Sequence, residues 1–481
     1  LEYHGADGGA FPDGETGQLH LRSALAAHLS AKLQRLGLNE YTIESLRKDI
    51  GKAYRDGVEK QPWVKIDSVL DLPQEDAEGN VALKRFHNEL TPAKDISPSL
   101  NASYEGIEGV SSLSADQKKH PVNLWRTKFE PVPSAEGQYA FTGLRHGIHD
   151  AYEVKDKAAR NAAGDSRVSE FITASVQSSP QALRKNADGT YSIDIVSVSL
   201  VTPTKAPFFR AELHQLEHQL AAYERAVEKG KAEGFPVEIT AEDGTRKTIT
   251  VRPNIIAFNT GVNSFSVGES ALKRTVGGWP KSDEVNKKAL PELIGSTTLG
   301  DPVGGLVGKR LQELEQSVFS LDARERAQVY KKIETITELV GQIRTIVNAP
   351  ADSVESHKRG GNEPYKLPTR LIALANEIGA TPAFNCKSGK DRTGQLDVEI
   401  KDFYAHLNAH DGKPRPIGQT RNPSEALTFK RLFENGGARE IQKFNTGVPG
   451  SKIEVPVFYD LLEYERAQVD QLKGLSKWVG S

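Results

Sequence analysis

The chain has 481 residues, with 62 Lys and Arg against 64 Asp and Glu, a formal net charge of −2. That near-neutral balance calls for no nucleic-acid partner, so any recognition of phosphate has to be local. A single cysteine excludes an internal disulfide framework and suits a reducing environment, and no apolar run approaches the length of a membrane span.

Residues 1–18 are rich in Gly, Asp and Pro and read as a flexible start. Leu1-Glu2 lacks an initiator, so the native N-terminus is expected to be missing, and the absence of methionine throughout departs from ordinary usage. Leu21, Leu25, Leu29, Leu33 and Leu36 recur at helical spacing up to Gly37; Ile43, Leu46, Ile50 and Tyr54 repeat the pattern up to Gly57. This predicts a helical hairpin, serving either as a small supporting bundle or as a partner-binding surface. Thr91 to Ser114 lacks apolar periodicity and reads as a linker or mobile loop. The expected division is therefore a mostly helical region over 1–115 and a catalytic domain over 116–481.

Strand-like stretches follow at Tyr139–Leu144 and Ser192–Val201, and a hairpin sets Val237 and Ile239 against Ile249 and Val251 across Asp243-Gly244. Between them Leu213, Leu216, Leu220, Tyr223 and Val227 predict an amphipathic helix. Arg145-His146-Gly147 matches only the start of the histidine acid phosphatase signature, because His149 and Ala151 stand where Arg and Pro belong, so a structural or secondary substrate role is expected there. Trp279-Pro280-Lys281 is similar to the Trp-Pro-Asp acid loop of tyrosine phosphatases with Lys in place of the acid; Asp283 nearby is the runner-up acid. Gly304-Gly305-Leu306-Val307-Gly308-Lys309-Arg310 has the wrong glycine spacing for a nucleotide loop and Arg310 where Ser or Thr would bind magnesium. Helices are expected over Leu311–Val318, from an N-cap at Asp322 through Val347, and from Pro368 to Ile378. The polar loop Ala351–Pro364 reads as exposed surface, or as a basic arm near a phosphate site. Further helical pieces are expected around Leu427–Leu432 and Leu461–Leu472.

Thr381-Pro382-Ala383-Phe384 reads as a short buried strand leading into Asn385-Cys386-Lys387-Ser388-Gly389-Lys390-Asp391-Arg392-Thr393-Gly394, after which a helix follows. A Cys-x5-Arg loop of this kind curls its backbone N–H groups around one anion at a helix N-terminus. Cys386 would lie at the base, where that helix end, Lys387, Lys390 and Arg392 favour the thiolate and make it a nucleophile. Arg392 can fork onto two phosphoryl oxygens, Thr393 can steady the sulfur, Asp391 can act as acid and then base, and Gly389 permits close backbone approach. A lone cysteine is more often a small core residue, but this neighbourhood of charges is costly for a core thiol. Ser388 completes the cradle, and Lys387 and Lys390 exceed what one phosphate needs.

The Cys386–Gly394 loop resembles the active-site loop of the SopB/IpgD class of secreted inositol polyphosphate and phosphoinositide phosphatase effectors of Gram-negative bacteria, and more distantly that of the mammalian inositol polyphosphate 4-phosphatases. Phe258-Asn259-Thr260-Gly261-Val262-Asn263 is similar to the upstream motif of those enzymes, with Thr260 and Ser264-Phe265-Ser266 departing from it. Gly361–Leu367 and Glu440–Gly447 also resemble that class, so the likeness covers roughly residue 120 to the C-terminus. It implies that Asn259 and Asn263 support the loop or contact substrate. It further implies secretion into a host cell, action in the host cytoplasm and at the membrane surface with peripheral membrane contact, and an N-terminal region that engages a Rho-family GTPase.

The expected fold is thus an α/β catalytic domain, a central sheet flanked by helices with the loop between strand and helix, plus a mostly helical N-terminal domain. The expected reaction is metal- and cofactor-independent hydrolysis of an inositol polyphosphate or phosphoinositide through a phosphocysteine. A phytase acting on free inositol hexakisphosphate, a protein tyrosine phosphatase and a chiefly GTPase-binding protein are the alternatives; Asn385 in place of the usual His counts against the tyrosine phosphatase.

Overall fold

The computed structural model describes residues 60–447 apart from 77–78, 113–118, 136, 205–209, 241–243, 263–277 and 360–362, together with residues 35, 37, 57, 58 and 450. Two compact units divide the chain: Trp63–Ala438 is one, and Leu1–Pro62 with Arg439–Ser481 the other. The helical hairpin expected over residues 21–57, and with it the surface expected for a GTPase, lies outside the described residues almost entirely, as does the helix expected over Leu461–Leu472. Among the described residues no helix is long and apolar enough to cross a membrane.

The larger unit is built on one mixed sheet of nine strands. β1 (Ile66–Glu75), β2 (Val81–Pro92), β3 (Trp125–Pro131) and β4 (Phe141–Gly147) form an antiparallel meander. β6 (Tyr191–Ser199) carries the short β5 (Arg184–Lys185) on its flank and pairs with the long β8 (Arg246–Asn259), whose hairpin partner is β7 (Phe235–Thr240). The last strand, β9 (Thr381–Cys386), inserts between β4 and β6, parallel to both, giving the order β1-β2-β3-β4-β9-β6-β8-β7. β9 is buried at every position, as a central parallel strand covered on both faces must be.

Alternation along the strands assigns the faces. Leu144, Ile193, Ile195 and Ala383 join a core under α3 (Lys157–Ser178) and α4 (Arg210–Ala232). The opposite face is covered by α8 (Lys366–Glu377) and α9 (Asp391–Ala409), with α10 (Pro423–Asn435) extending the layer over β1. α5 (Trp279–Ile294), α6 (Gly305–Ser317) and α7 (Ala323–Asn348) complete the helices around β8 and α8; Asp322 caps α7 in a capping box with Glu325, as its sequence suggests.

Two expectations for the first 115 residues need correction. Ile66–Pro92 is not helical: it supplies β1 and β2 of the same sheet, its inward positions Leu72, Phe86 and Leu90 being almost fully buried. Nor is 91–114 a loose linker. Ser97 caps a short helix, α2 (Pro98–Tyr104), by accepting the Leu100 N–H, just after the single turn α1 (Ala93–Ile96), and Leu100, Tyr104 and Val110 enter the main core. These residues are too widely spaced among Ser, Asn and Gly to register as a periodic pattern. The boundary expected at 115 therefore does not separate these segments from the sheet.

Candidate active site

The C-terminal ends of the parallel strands β4, β9, β6 and β8 lie side by side, because Gly147 pairs with Cys386, Ser199 with Asn385, and Ser199 with Asn259. In an open parallel sheet this edge is where ligands bind, and it is where Cys386 ends its strand. Five residues later α9 opens at Asp391, so its free N–H groups face the loop. Cys386 is only 3% exposed.

Neighbouring strand ends hold the loop in place. Ile148 N–H donates to the Lys387 carbonyl at 3.1 Å, Leu200 N–H to the Asn385 carbonyl at 2.7 Å, and the Asn123 amide to the Ser388 carbonyl at 2.7 Å. Gln219 links the Asn385 side chain (3.1 Å) to the His149 N–H (3.0 Å). Gly389 has φ +69°, and a Cβ there would stand 2.6 Å from the Gly147 nitrogen and 2.7 Å from the His146 carbonyl carbon, so the close approach expected of this glycine is made to strand β4. Thr393 acts on the backbone: its Oγ1 accepts the Cys386 N–H at 2.8 Å, tying the strand end to the first turn of α9.

Arg392 meets a partner that sequence reading missed. Its Nη1 donates to Glu212 Oε2 at 3.0 Å and to the Leu200 carbonyl at 2.9 Å, and its Nη2 donates to Glu212 Oε1 at 2.5 Å. Glu212 also accepts the Thr202 N–H at 2.6 Å. A guanidinium has five N–H vectors in two usable forks. Glu212 occupies the end-on fork, and among the described residues no acceptor takes the side fork formed by Nε–H and the second Nη2–H. Burial opposes ionisation of Glu212, but the Arg392 charge, its hydrogen bonds and the Thr202 N–H outweigh it and hold the carboxyl below its usual range. Arg392 is likewise held charged by Glu212 against burial. Glu212 is the acid of the first turn of α4, and nothing local in the sequence links it to an arginine 180 positions away.

Beneath the loop on the α8/α9 face lies a buried charged cluster. Arg145 donates to Asp397 at 3.3 Å and to the Lys390 carbonyl at 3.4 Å, while Asp397 accepts from Lys401 (2.8 Å) and Thr127 (2.8 Å). Burial pushes the Arg145 pKa down against the opposing pull of Asp397 and Cys386. Its neighbour in the sequence, His146, points to the other face, stacks on His149 at 4.2 Å and is pushed down to about 4 by burial. The Arg-His-Gly segment thus meets the loop through the Arg145 side chain and its own backbone at His146 and Gly147, while the His146 ring packs on the other side of the sheet.

The remaining candidates divide. Lys387 and Ser388 are half-buried at the rim, Lys390 is 2% exposed, and Asp391 is half-buried at the start of α9. Asn259 is fully buried and fully used: its amide donates to the Ser199 and Val201 carbonyls (both 3.1 Å), and its Oδ1 accepts from Ser282 (2.5 Å). Its backbone bonds Asn286 in both directions. It locks the ends of β6 and β8, so of the two roles expected for it, supporting the site is the one its contacts fill. Asn263 lies outside the described residues. Asp283 accepts from Lys358 at 2.7 Å, and Trp279 packs edge-on against His357, which joins the Trp-Pro-Lys segment to the 351–364 loop. That loop is anchored by Lys366, whose ammonium donates to the carbonyls of Val354, Ser356 and Arg359. Tyr365 is buried near Arg392, Cys386 and Asp391, and burial raises the pKa of its hydroxyl.

The family model described as enterobacterial virulence protein IpgD matches residues 41–468. The inositol phosphate phosphatase SopB of Salmonella blockley is 35% identical over 363 residues, covering 75% of this chain and 76% of that protein. SopB of Salmonella bongori is 34% identical over 398 residues, with coverage of 81% and 87%. The inositol phosphate phosphatase IpgD of Shigella flexneri is 32% identical over 412 residues, with coverage of 82% and 70%. The crystal structure of SidF, a Legionella phosphoinositide phosphatase, aligns with a TM-score of 0.51 at 12% identity, covering 95% of this chain and 82% of that one, a likeness of fold.

Proposed function

The chain belongs to the IpgD family of enterobacterial virulence proteins, and on that premise we propose that it hydrolyses phosphomonoesters of inositol polyphosphates or phosphoinositides with Cys386 as nucleophile. The observation that carries the reading is the site itself. Cys386 ends a central parallel strand, the N-terminus of α9 faces the same loop, and Arg392 has one fork on Glu212 with the other left for a ligand.

In this reading the phosphoryl group sits on the loop N–H groups and the side fork of Arg392, which gains strength as charge spreads over the equatorial oxygens. Cys386 Sγ attacks phosphorus in line, the P–O bond to the inositol breaks, and Asp391 gives its proton to the departing oxygen. The resulting carboxylate takes a proton from water, whose oxygen attacks the phosphocysteine; the P–S bond breaks, inorganic phosphate forms and the thiolate returns. Thr393 fixes the strand end from which Sγ projects. Names of relatives that act on inositol phosphates support the substrate class, and the family's description as virulence proteins supports action on the inositol phosphates of a host cell.

The test is phosphate release from inositol polyphosphates, phosphoinositides in vesicles and a phosphotyrosine peptide by the protein and by Cys386→Ser. Release from the inositol substrates that vanishes in the variant is expected. Equal release by both proteins would sink the cysteine mechanism, and preference for the peptide would sink the substrate class.

A further inference from the structure

The fold treats the two loop lysines in opposite ways. Lys390 is 2% exposed and lies in the floor of the loop, its carbonyl bonded by Arg145. Lys387, the residue after Cys386, is half-buried at the rim, and its Nζ stands 5.2 Å from the centroid of the Tyr152 ring. That ring packs against a small apolar cluster of Ile148, Val201 and Leu216. The same segment holds the backbone of Lys387, since Ile148 N–H donates to its carbonyl at 3.1 Å. Both ends of Lys387 are thus set by residues 148–152; Glu212 lies near enough to feel its charge, but among the described residues no carboxylate comes within ion-pair distance of it.

The choice of an aromatic face rather than an acid has a chemical consequence. A carboxylate would consume the N–H donors of the ammonium and cancel its charge towards a ligand. A ring face fixes the cation through its quadrupole and leaves those donors free. Cation–π pairs are common on protein surfaces, but this one holds the side chain next to the nucleophile. We propose that Tyr152 is a positioning residue that aims the Lys387 ammonium at a second phosphate of the substrate, so that this pair sets the preference for polyphosphorylated over singly phosphorylated esters. The proposal rests on the reading of the site as an inositol phosphate phosphatase.

Its test compares kcat/KM on an inositol polyphosphate with kcat/KM on p-nitrophenyl phosphate, as a ratio, for the protein, Tyr152→Phe and Tyr152→Leu. The ratio is insensitive to the fraction of folded enzyme. It is expected to fall about three- to tenfold in Tyr152→Leu, mainly through KM, and to be retained in Tyr152→Phe, which keeps the ring. In a Lys387→Gln background Tyr152→Leu is expected to add nothing. A parallel arm measures binding of inositol hexakisphosphate and of inorganic phosphate to Cys386→Ser with and without Tyr152→Leu. The relative affinity for the polyphosphate is expected to fall by the same factor. That arm reads the pair even if no inositol substrate is turned over, a result that would strike the proposed function alone. An unchanged ratio and unchanged relative affinity in Tyr152→Leu would overturn the inference, as would a Tyr152→Phe variant that falls as far as Tyr152→Leu.

Discussion

Glu212→Gln separates the charge of Glu212 from its size. Glu212 accepts three hydrogen bonds, two from Arg392 and one from Thr202 N–H. Glutamine has one acceptor oxygen, and its amide must then face either Nη2 or the Nη1 and Thr202 donors. At least one charge-assisted bond is lost, at about 1.5–3 kcal/mol, and the remaining one is no longer to an anion. In the proposed mechanism the pair keeps Arg392 on the phosphoryl group, so that energy should appear in the transition state. A loss of about 2–3 kcal/mol corresponds to about a 30- to 150-fold drop in kcat/KM. The assay is steady-state phosphate release between pH 6 and 8. The Glu212 carboxyl is held below its usual range, so it stays ionised across that window, and its contribution is lost only as pH falls through the lowered value. A cycle with Arg392→Ala completes the argument: once the guanidinium is gone, Glu212→Gln should cost nothing further. A kcat/KM within about threefold of the parent, or an equal drop in the Arg392→Ala background, would refute the orienting role.

Asp391→Asn should lower kcat by about 100-fold or more on an inositol phosphate, whose alkoxide needs a proton, and far less on an aryl phosphate, whose phenolate does not. Equal losses on both leaving groups would move the acid elsewhere. Gly389→Ala places a Cβ 2.6 Å from the Gly147 nitrogen at φ +69°, so both partners in the clash are backbone and cannot swing away. A stability loss on the order of 2 kcal/mol or more, with activity abolished, is expected from thermal melts and assay together. Burial raises the Glu425 pKa, but His406 and Arg415 more than offset it and hold the carboxyl at about 2. Its stabilising effect is therefore full above about pH 4.5 and lost as pH falls through about 2. Glu425→Gln should cost on the order of 2 kcal/mol at pH 7 and nearly nothing at pH 2, as read by denaturant unfolding at each pH.

How much of this was open to reading depends on whether the signal is local. The Cys386–Arg392 loop was legible because strand, loop and helix are consecutive, and each residue's chemistry follows from its place in one short stretch. The β7–β8 hairpin was legible for the same reason, and Val237 pairs with Ile249 in it. Helices α4 and α8 announced themselves through periodicity and α7 through periodicity and its Asp322 cap, although α8 opens at Lys366, two residues before the expected Pro368. The first two strands did not. β1 alternates over its first half only, and the outward face of the β1–β2 hairpin carries exposed Val69, Val81 and Leu83. Asn259 was marked by its motif, but that its hydrogen bonds are spent within the protein could be seen only once β6, β8 and α5 were side by side.

The sequence by itself determined the proposed nucleophile and its immediate surroundings: a lone cysteine, an arginine at the start of the following helix, an acid and two lysines, all close along the chain. Tertiary structure decided what each of those residues is free to do. It inserted β9 between β4 and β6, so that Asn123, Ile148 and Leu200 could hold the loop, and it set Glu212 against one fork of Arg392. It sank Lys390 into the floor and left Lys387 at the rim over Tyr152. A neighbour along the chain is fixed by covalent geometry, but a neighbour across a sheet is fixed by strand order and register, which depend on the packing of the whole unit.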